Sequence, residues 1–323
     1  MSQPPKPVLA SVPAFTQGPE GADPQRVKAK AKPALAAEAI EEKGWWRAHR
    51  FLVLRRLSQL SILLLFLMGP WFGWWLVKGN LNYSITLNTV PLTDPLVLLQ
   101  SLLTRHAPER NALIGAAIVL VFYALVGGRA YCGWVCPVNL VTDAAAALRR
   151  RWDIRGGADM PRETRFWMLG LILLLAATTG GIVWELVSPV SMLPRGLLFG
   201  MGAGWLLILG IFLFDLFVMQ HGWCSHICPV GAFYSLLGKL SFTRVTANQR
   251  AACNDCLDCF AVCPVHHFIK LPLKGAKKGA GPMIVSGDCS NCGRCIDVCS
   301  KDVFSFTNRL NRQPDTQQPA TLV

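Results

Sequence analysis

The chain has 323 residues, 52% of them apolar, and a formal net charge of +13. That length holds one large domain or two or three small ones, and the apolar share exceeds that of a soluble protein with a charged tail. The charge suits nucleic acid or an anionic membrane surface. The apolar residues gather in four blocks and no basic patch with interleaved aromatics is visible, so the membrane accounts for the charge and nucleic acid is not expected as a partner.

Residues 1–37 are rich in Pro, Ala, Lys and Gln. They carry too little apolar surface to offset the entropy of ordering, and are expected to form a disordered cytoplasmic tail without a signal-peptide core. Residues 38–56 read as an interfacial helix, with Trp45 and Trp46 at headgroup level and Arg47, Arg50, Arg55 and Arg56 facing lipid phosphates. An ordinary basic juxtamembrane stretch fits them equally. The apolar blocks at 57–77, 112–126, 166–187 and 197–218 predict four transmembrane helices. The first holds 21 uncharged residues, close to the ~20 that cross a hydrocarbon core. Gly69-Pro70 is expected to kink it, and Trp71, Trp74 and Trp75 mark an aromatic belt at its far end. Gly200, Gly202, Gly204 and Gly210 offer a small-residue packing face. Turn signals at Gly79-Asn80 and Asp94-Pro95 place a loop within 57–126, in which His106 reads as a surface residue.

Lys and Arg number 28 across 1–56, 127–165 and 219–323, against 4 across 78–111 and 188–196. The positive-inside rule then makes both termini and the 127–165 loop cytoplasmic. The remaining divisions are 166–218 with the third and fourth spans, a connector at 219–250, a cysteine-rich domain at 251–310 and a tail at 311–323.

Twelve cysteines fall into two patterns. Tyr131-Cys132-x3-Cys136-Pro137-Val138 and Trp223-Cys224-x3-Cys228-Pro229-Val230 match at an offset of 92 residues, and Asp94-Pro95 and Ser188-Pro189 match loosely at 94. The chain therefore reads as two parallel helix-pair repeats, whose axis along the membrane normal would bring Cys132, Cys136, Cys224 and Cys228 together. Cysteines four apart share a helix face. Each pair thus suits a redox dithiol or a metal clamp, the four together suit a further metal centre, and all suit structural packing as small hydrophobes.

The second pattern is Cys253-x2-Cys256-x2-Cys259-x3-Cys263-Pro264 followed by Cys289-x2-Cys292-x2-Cys295-x3-Cys299. This is the spacing of a two-cluster bacterial ferredoxin, in which the fourth cysteine of each run ligates the other cluster. It assigns Cys253, Cys256, Cys259 and Cys299 to one [4Fe–4S] cluster and Cys289, Cys292, Cys295 and Cys263 to the other. Ser300 stands where a second proline is expected. Two runs of four overfill a zinc site, and disulfides need an oxidising compartment that the topology denies. The expected fold is an α-helical membrane protein, with four transmembrane helices in two helix-pair repeats and a cytoplasmic α+β domain of the two-[4Fe–4S] ferredoxin type.

The whole order resembles the NapH family, the membrane-bound ferredoxin-type quinol dehydrogenase component of periplasmic nitrate reductase systems. The resemblance covers roughly 38–310. It rests on the four blocks, both CxxxCP motifs, both cluster runs, Gly44-Trp45-Trp46-Arg47, Gly69-Pro70-Trp71-Phe72-Gly73, Val90-Pro91-Leu92-Thr93-Asp94-Pro95-Leu96 and His221-Gly222-Trp223-Cys224. It implies a bacterial inner-membrane electron-transfer protein that oxidises quinol and feeds a periplasmic nitrate reductase. A periplasmic iron–sulfur subunit and a multihaem cytochrome are the implied partners. Quinol oxidation releases protons, and Asp94, Glu185 and Asp215 are candidates to take them. His266 and His267 follow the first cluster run and suit tuning or shielding of a cluster. Two other functions remain open: reductant or assembly factor for maturation of a respiratory metalloenzyme, and non-redox anchoring subunit.

Overall fold

The computed structural model describes residues 35–310 apart from 106, 155, 156, 159, 201, 203, 277 and 278. The tails expected at 1–37 and 311–323 lie outside the described residues except for 35–37, and so does His106.

Helix α1 (Ala37–Phe72) bends at Gly44, whose φ of +79° and ψ of 160° are non-helical. Trp45 and Trp46 follow the bend and are exposed. The helix ends earlier than the apolar block. Pro70 sits in its last turn and Gly73, at φ +75°, caps it through a 2.9 Å N–H bond to the Gly69 carbonyl. Only glycine takes that left-handed conformation without a Cβ penalty.

Residues after the cap form an antiparallel meander of β1 (Val77–Gly79), β2 (Tyr83–Thr86) and β3 (Val90–Thr93). The Asn80 side chain accepts the Asn82 and Tyr83 amides at 2.9 Å and makes the first turn. The chain then enters α2 (Pro95–Leu103), with Asp94 as N-cap accepting the Leu96 N–H at 3.0 Å and Pro95 in the first turn. Proline lacks the N–H that would be unsatisfied there, and aspartate satisfies another.

Next come α3 (Arg110–Val126), α4 (Ala130–Trp134), α5 (Val138–Arg151), α6 (Thr164–Thr179), α7 (Val183–Val187), α8 (Pro189–Phe199) and α9 (Gly204–Leu213). Ser188-Pro189 opens α8 as Asp94-Pro95 opens α2. The expected third and fourth spans are interrupted: α6 stops at Gly180 (φ +68°), and Gly200 (φ +82°) separates α8 from α9. Among the described residues α1 alone is long and apolar enough to cross a membrane. Arg110–Val126, Thr164–Thr179 and Gly204–Val218 are shorter apolar helices. Gly200, Gly202 and Gly210 face open space, so at these three positions the expected small-residue face packs against none of the described residues. The two halves share one core, with Leu96, Tyr123, Tyr131, Trp184, Val190, Ile211 and Tyr234 in contact.

A π-helical turn, Phe214–Val218, continues α9, and a second, Trp223–Ile227, precedes α10 (Pro229–Gly238). The cysteine-rich domain comprises β4 (Thr243–Ala247), α11 (Asp258–Val262), α12 (His267–Lys274), α13 (Arg294–Asp297) and β5 (Phe304–Asn308), with β4 and β5 antiparallel. The first half of α1 docks on this domain. Asp258 accepts the Ala36 amide at 3.0 Å, and Asp297 accepts those of Phe51 and Leu52 at 3.1 and 3.0 Å. Arg55 and Arg56, expected to face lipid phosphates, instead pair with Asp143, because the helix turns them inward.

Gly293 makes this docking possible. It sits at φ +71°, and a methyl there would overlap the Phe51 ring. Gly293→Ala is expected to cost roughly 2–4 kcal/mol, from the left-handed penalty plus overpacking. Chemical unfolding of the cluster-loaded protein measures it, and an unchanged midpoint would refute the docking.

Candidate functional site

Each cluster run folds around its own thiols by left-handed residues at equivalent positions. These are Asp255 (φ +60°) and Leu257 (+65°) in the first run, and Asn291 (+45°) and Gly293 (+71°) in the second. A short helix follows each, α11 and α13. Cys253, Cys256, Cys259 and Cys299 consequently line one small cavity, backed by Leu273, Val303 and Phe304. Cys263, Cys289, Cys292 and Cys295 line another, backed by Val265 and Phe268. Each cavity takes three thiols from one run and the fourth from the other.

The donor set suits thiolates. Amides of Asp258, Phe260, Val265 and Asn291 bond to the sulfurs of Cys256, Cys259, Cys263 and Cys289, and the Val303 N–H donates to Cys299 Sγ at 3.4 Å. Burial pushes the Cys259 thiol up to about 12 and the Cys289 thiol to about 11, so a bound cation is what would keep them deprotonated. The thiols do not converge on one point. Among the described residues no group of three or more His, Cys, Asp or Glu side chains is placed to hold a single ion. Tetrahedral zinc draws its sulfurs to about 3.8 Å of one another, whereas a cubane spreads them over its corners. The residues present fit an iron–sulfur cube better than zinc. His266 and His267 pack edge-to-face on each other at 4.1 Å and line neither cavity.

The structure also gathers Cys132, Cys136, Cys224 and Cys228, which line a third small cavity beneath Tyr131, Val190 and Trp223. The repeated proline explains half of this geometry. A residue before proline is driven to extended backbone, and proline is at home in a first helical turn. Cys136 and Cys228 therefore sit at the starts of α5 and α10. Amides of Val138 and Asn139 bond to the Cys136 sulfur, and those of Val230 and Gly231 to the Cys228 sulfur. A helix N-terminus favours negative charge. Burial opposes it, pushing the Cys228 thiol up to about 12. The first cysteine of each pair lies beside Arg129, which bonds to the Cys132 thiol and donates to the Cys224 carbonyl at 2.9 Å.

A cationic cavity of about 330 Å³ joins the two thiol regions. Cys132, Cys224 and Cys292 all line it, with Arg55, Arg56, Arg129, Arg150 and Arg294 and the carboxylates of Asp143 and Asp288. Asp288 pairs with Arg165 at 2.5 Å and Arg129 at 3.7 Å. Arg129 Nε and Arg165 Nε and Nη1 are buried without a hydrogen-bond partner among the described residues. Sequence reasoning missed these groups, although Arg129 stands three residues before Cys132 and Asp288 directly before Cys289.

The three candidate acids separate. Asp94 lines an apolar cavity of about 310 Å³. Glu185 pairs with Arg195 at 2.7 Å and lines none of the cavities described here. Asp215 is buried and accepts the Trp223 N–H at 3.0 Å, bracing the turn that carries Cys224. Three of the chain's 4 tyrosines, Tyr123, Tyr131 and Tyr234, surround Asp94; Tyr131 opens the first CxxxCP motif, and no sequence pattern marked the other two.

The 4Fe-4S dicluster domain model matches residues 252–303, and the 4Fe-4S binding domain model matches 111–155 and 200–245, around the two CxxxCP motifs. The chain is therefore an iron–sulfur protein. It is 52% identical over 272 residues to "Ferredoxin-type protein NapH" of Escherichia coli, covering 84% of this chain and 94% of the relative. Its identity to the protein of the same name from Haemophilus influenzae is 50% over 281 residues, covering 86% and 97%. "Methylamine utilization ferredoxin-type protein MauN" of Methylorubrum extorquens is 49% identical over 276 residues, covering 85% and 95%. No solved structure matches the chain. With half its residues shared along nearly the full length of such relatives, the chain belongs to the NapH family of ferredoxin-type proteins.

Proposed function

We propose that this chain is a multi-pass protein of the bacterial inner membrane that oxidises quinol and passes the electrons toward a periplasmic nitrate reductase. The observation that carries the reading is the shared lining of the cavities. Cys132 and Cys224 stand with Cys292 in the cationic cavity and with Tyr131 in the four-thiol cavity, so sulfur runs from the apolar helices to the cluster domain.

Cys253, Cys256, Cys259 and Cys299 would hold one [4Fe–4S] cluster and Cys263, Cys289, Cys292 and Cys295 the other. Cys132, Cys136, Cys224 and Cys228 would hold a further metal centre. When bound, such centres take up electrons singly. The chain's own contribution is electrostatic. Arg129 and Arg165, buried beside the thiols, offset the negative charge that sulfur-bound centres bring into a dry site.

Membrane embedding is supported by bare apolar faces. Leu57 and Leu64 on α1, Val121 and Phe122 on α3, Trp167 and Leu174 on α6, and Leu206 on α9 are all exposed. The uncharged stretch of α1 from Leu57 to Phe72 is 16 residues, or roughly 24 Å at the helical rise, most of the ~30 Å hydrocarbon core. The Lys and Arg asymmetry supports a cytoplasmic side for both termini. A periplasmic iron–sulfur subunit and a multihaem cytochrome are the partners that the family resemblance supports.

The test uses anaerobic protein with its clusters oxidised. Excess quinol is expected to bleach the visible iron–sulfur absorbance and to give reduced-cluster paramagnetic signals. Clusters that dithionite reduces and quinol does not would instead favour a maturation or anchoring role.

A further inference from the structure

We propose that the cavity enclosed by the β1–β3 meander and helices α1, α3, α4 and α10 is the quinol site, and that Asp94 is the base that takes the quinol protons. This rests on the quinol-oxidation reading above and gives it a place in the fold.

The cavity has the size and chemistry that the substrate requires. At about 310 Å³ it lies at the lower end of small-molecule sites, which are mostly apolar with a few fixed polar groups. Ile62, Leu65 and Phe66 of α1 and Val119 of α3 make an apolar wall between two of the lipid-facing helices. That wall suits a ring with an isoprenoid tail. The polar groups collect at the opposite end. Ser84, Thr93 and Asp94 are each at most 5% exposed, and Thr93 Oγ1 has no hydrogen-bond partner among the described residues. A quinol hydroxyl is a donor and an acceptor, and in this polar end of the cavity it would present its proton to the Asp94 carboxylate.

Asp94 is held for this task from two sides. The Leu96 amide donates to Oδ1 at 3.0 Å, and the Tyr234 side chain bonds to the carboxyl group. The tyrosines build the floor: Tyr131 and Tyr234 stack at 4.9 Å, with Tyr123 edge-on to both at 5.9 and 5.3 Å. The titratable groups facing Asp94 are therefore Tyr123 from α3, Tyr131 from α4 and Tyr234 from α10, with Cys132 and Cys136 beyond them. Burial raises the Asp94 carboxyl to about 6, which leaves it largely ionised, yet basic enough to accept a proton, at neutral pH.

The floor is also the exit for electrons. Tyr131 lines this cavity and the four-thiol cavity, and Tyr131 and Val135 directly precede Cys132 and Cys136. Oxidation converts quinol to quinone with loss of two protons and two electrons. Both O–H bonds break and each ring oxygen becomes a carbonyl. The two [4Fe–4S] clusters, held by the C-terminal cysteines, would accept the electrons singly, and Tyr131 is the side chain that this cavity shares with the four-thiol cavity on the way to them. Asp94 takes the protons in turn and releases each toward the meander. There the Asn82 carbonyl accepts the Asp94 amide at 2.8 Å, and Asn80 reaches Glu185 at 3.5 Å.

Two variants of the full-length, cluster-loaded protein in lipid nanodiscs test this. Asp94→Asn keeps a good N-cap for α2 and removes the base. Val119→Trp fills the cavity. An azidoquinone with a short isoprenoid tail is photolysed on each protein and the labelled peptides are mapped. Bleaching of the clusters by decylubiquinol and by menadiol is followed from pH 5 to 8, with dithionite bleaching as the integrity control. Wild type and Asp94→Asn are expected to take the label within 62–66, 84–94 or 119–135, and Val119→Trp to lose it. The wild-type bleaching rate is expected to fall about tenfold per pH unit below about 6, because only ionised Asp94 accepts a proton. Asp94→Asn is expected to bleach roughly 10²- to 10⁴-fold more slowly, the usual worth of a general base, and to lose that low-pH limb. Label elsewhere, or wild-type bleaching kinetics in Asp94→Asn, would overturn the site and leave quinol oxidation standing. Wild-type clusters that dithionite bleaches and quinol does not would overturn both.

Discussion

Cys224→Ala is expected to stop quinol from bleaching the C-terminal clusters while dithionite still reduces them. The reason lies in the position of this thiol between two sites. It lines the four-thiol cavity, and with Cys132 it also lines the cationic cavity that contains Cys292. Removing an outer-shell partner of a metal site typically costs about 10- to 100-fold in affinity or activity, and loss of a ligand thiol should cost more. Cys132→Ala is expected to behave alike, because Arg129 ties both residues to the same cavity wall. Neither residue belongs to the 253–299 segment, so the two-cluster domain should keep its absorbance, and iron per chain should fall only by what the four-thiol centre holds. Quinol bleaching at the wild-type rate in both variants would show that these thiols are structural and that electrons travel elsewhere.

Asp288→Ala is expected to lower stability by about 3–5 kcal/mol, since it leaves buried guanidinium groups without their counter-ion. The carboxylate lies 2.5 Å from Arg165 and 3.7 Å from Arg129, and all three residues are buried. Arg129 also donates to the Asp288 backbone carbonyl at 3.3 Å. This cluster joins the loop before Cys289 to the start of α6 and to the first CxxxCP motif. At about 2–4 °C per kcal/mol for a chain of this class, the midpoint should drop by roughly 6–20 °C. The cluster held by Cys289 should also be lost more readily to chelators. Asp302→Ala is the contrast: its pair with Lys43 is exposed on the Asp302 side, and solvent-exposed pairs contribute little. Equal melting of the two variants would mean that the buried charges find other partners.

Cofactor chemistry was legible in the sequence because covalent spacing governs it. Three thiols at intervals of three residues cannot avoid facing one small volume once the loop winds tightly, and the fourth then reaches the neighbouring site. The repeat at an offset of 92 residues likewise announced that Cys132, Cys136, Cys224 and Cys228 would meet. Local backbone rules carried the caps: Asp94-Pro95, Ser188-Pro189 and the two Cys-Pro pairs each start a helix as their chemistry requires.

Span lengths were less legible, because hydropathy does not register where a glycine ends a helix. Gly73, Gly180 and Gly200 cut the apolar blocks at points that only their positive φ angles reveal. Arg55 looked lipid-facing until the packing of α1 turned it onto Asp143. Choosing among Asp94, Glu185 and Asp215 also required tertiary structure. Asp94 is a single acid in the loop between the first two apolar blocks, Glu185 and Asp215 are single acids near the ends of the third and fourth, and nothing local shows which of them faces a cavity. Only the fold brings Tyr123, Tyr131 and Tyr234, from three separate helices, around Asp94 and leaves Glu185 to Arg195. Spacing along the chain determined what this protein binds, since ligands within a run are neighbours in sequence. Packing between helices decided where the proposed quinol cavity lies, since it is lined by side chains from across 62–234.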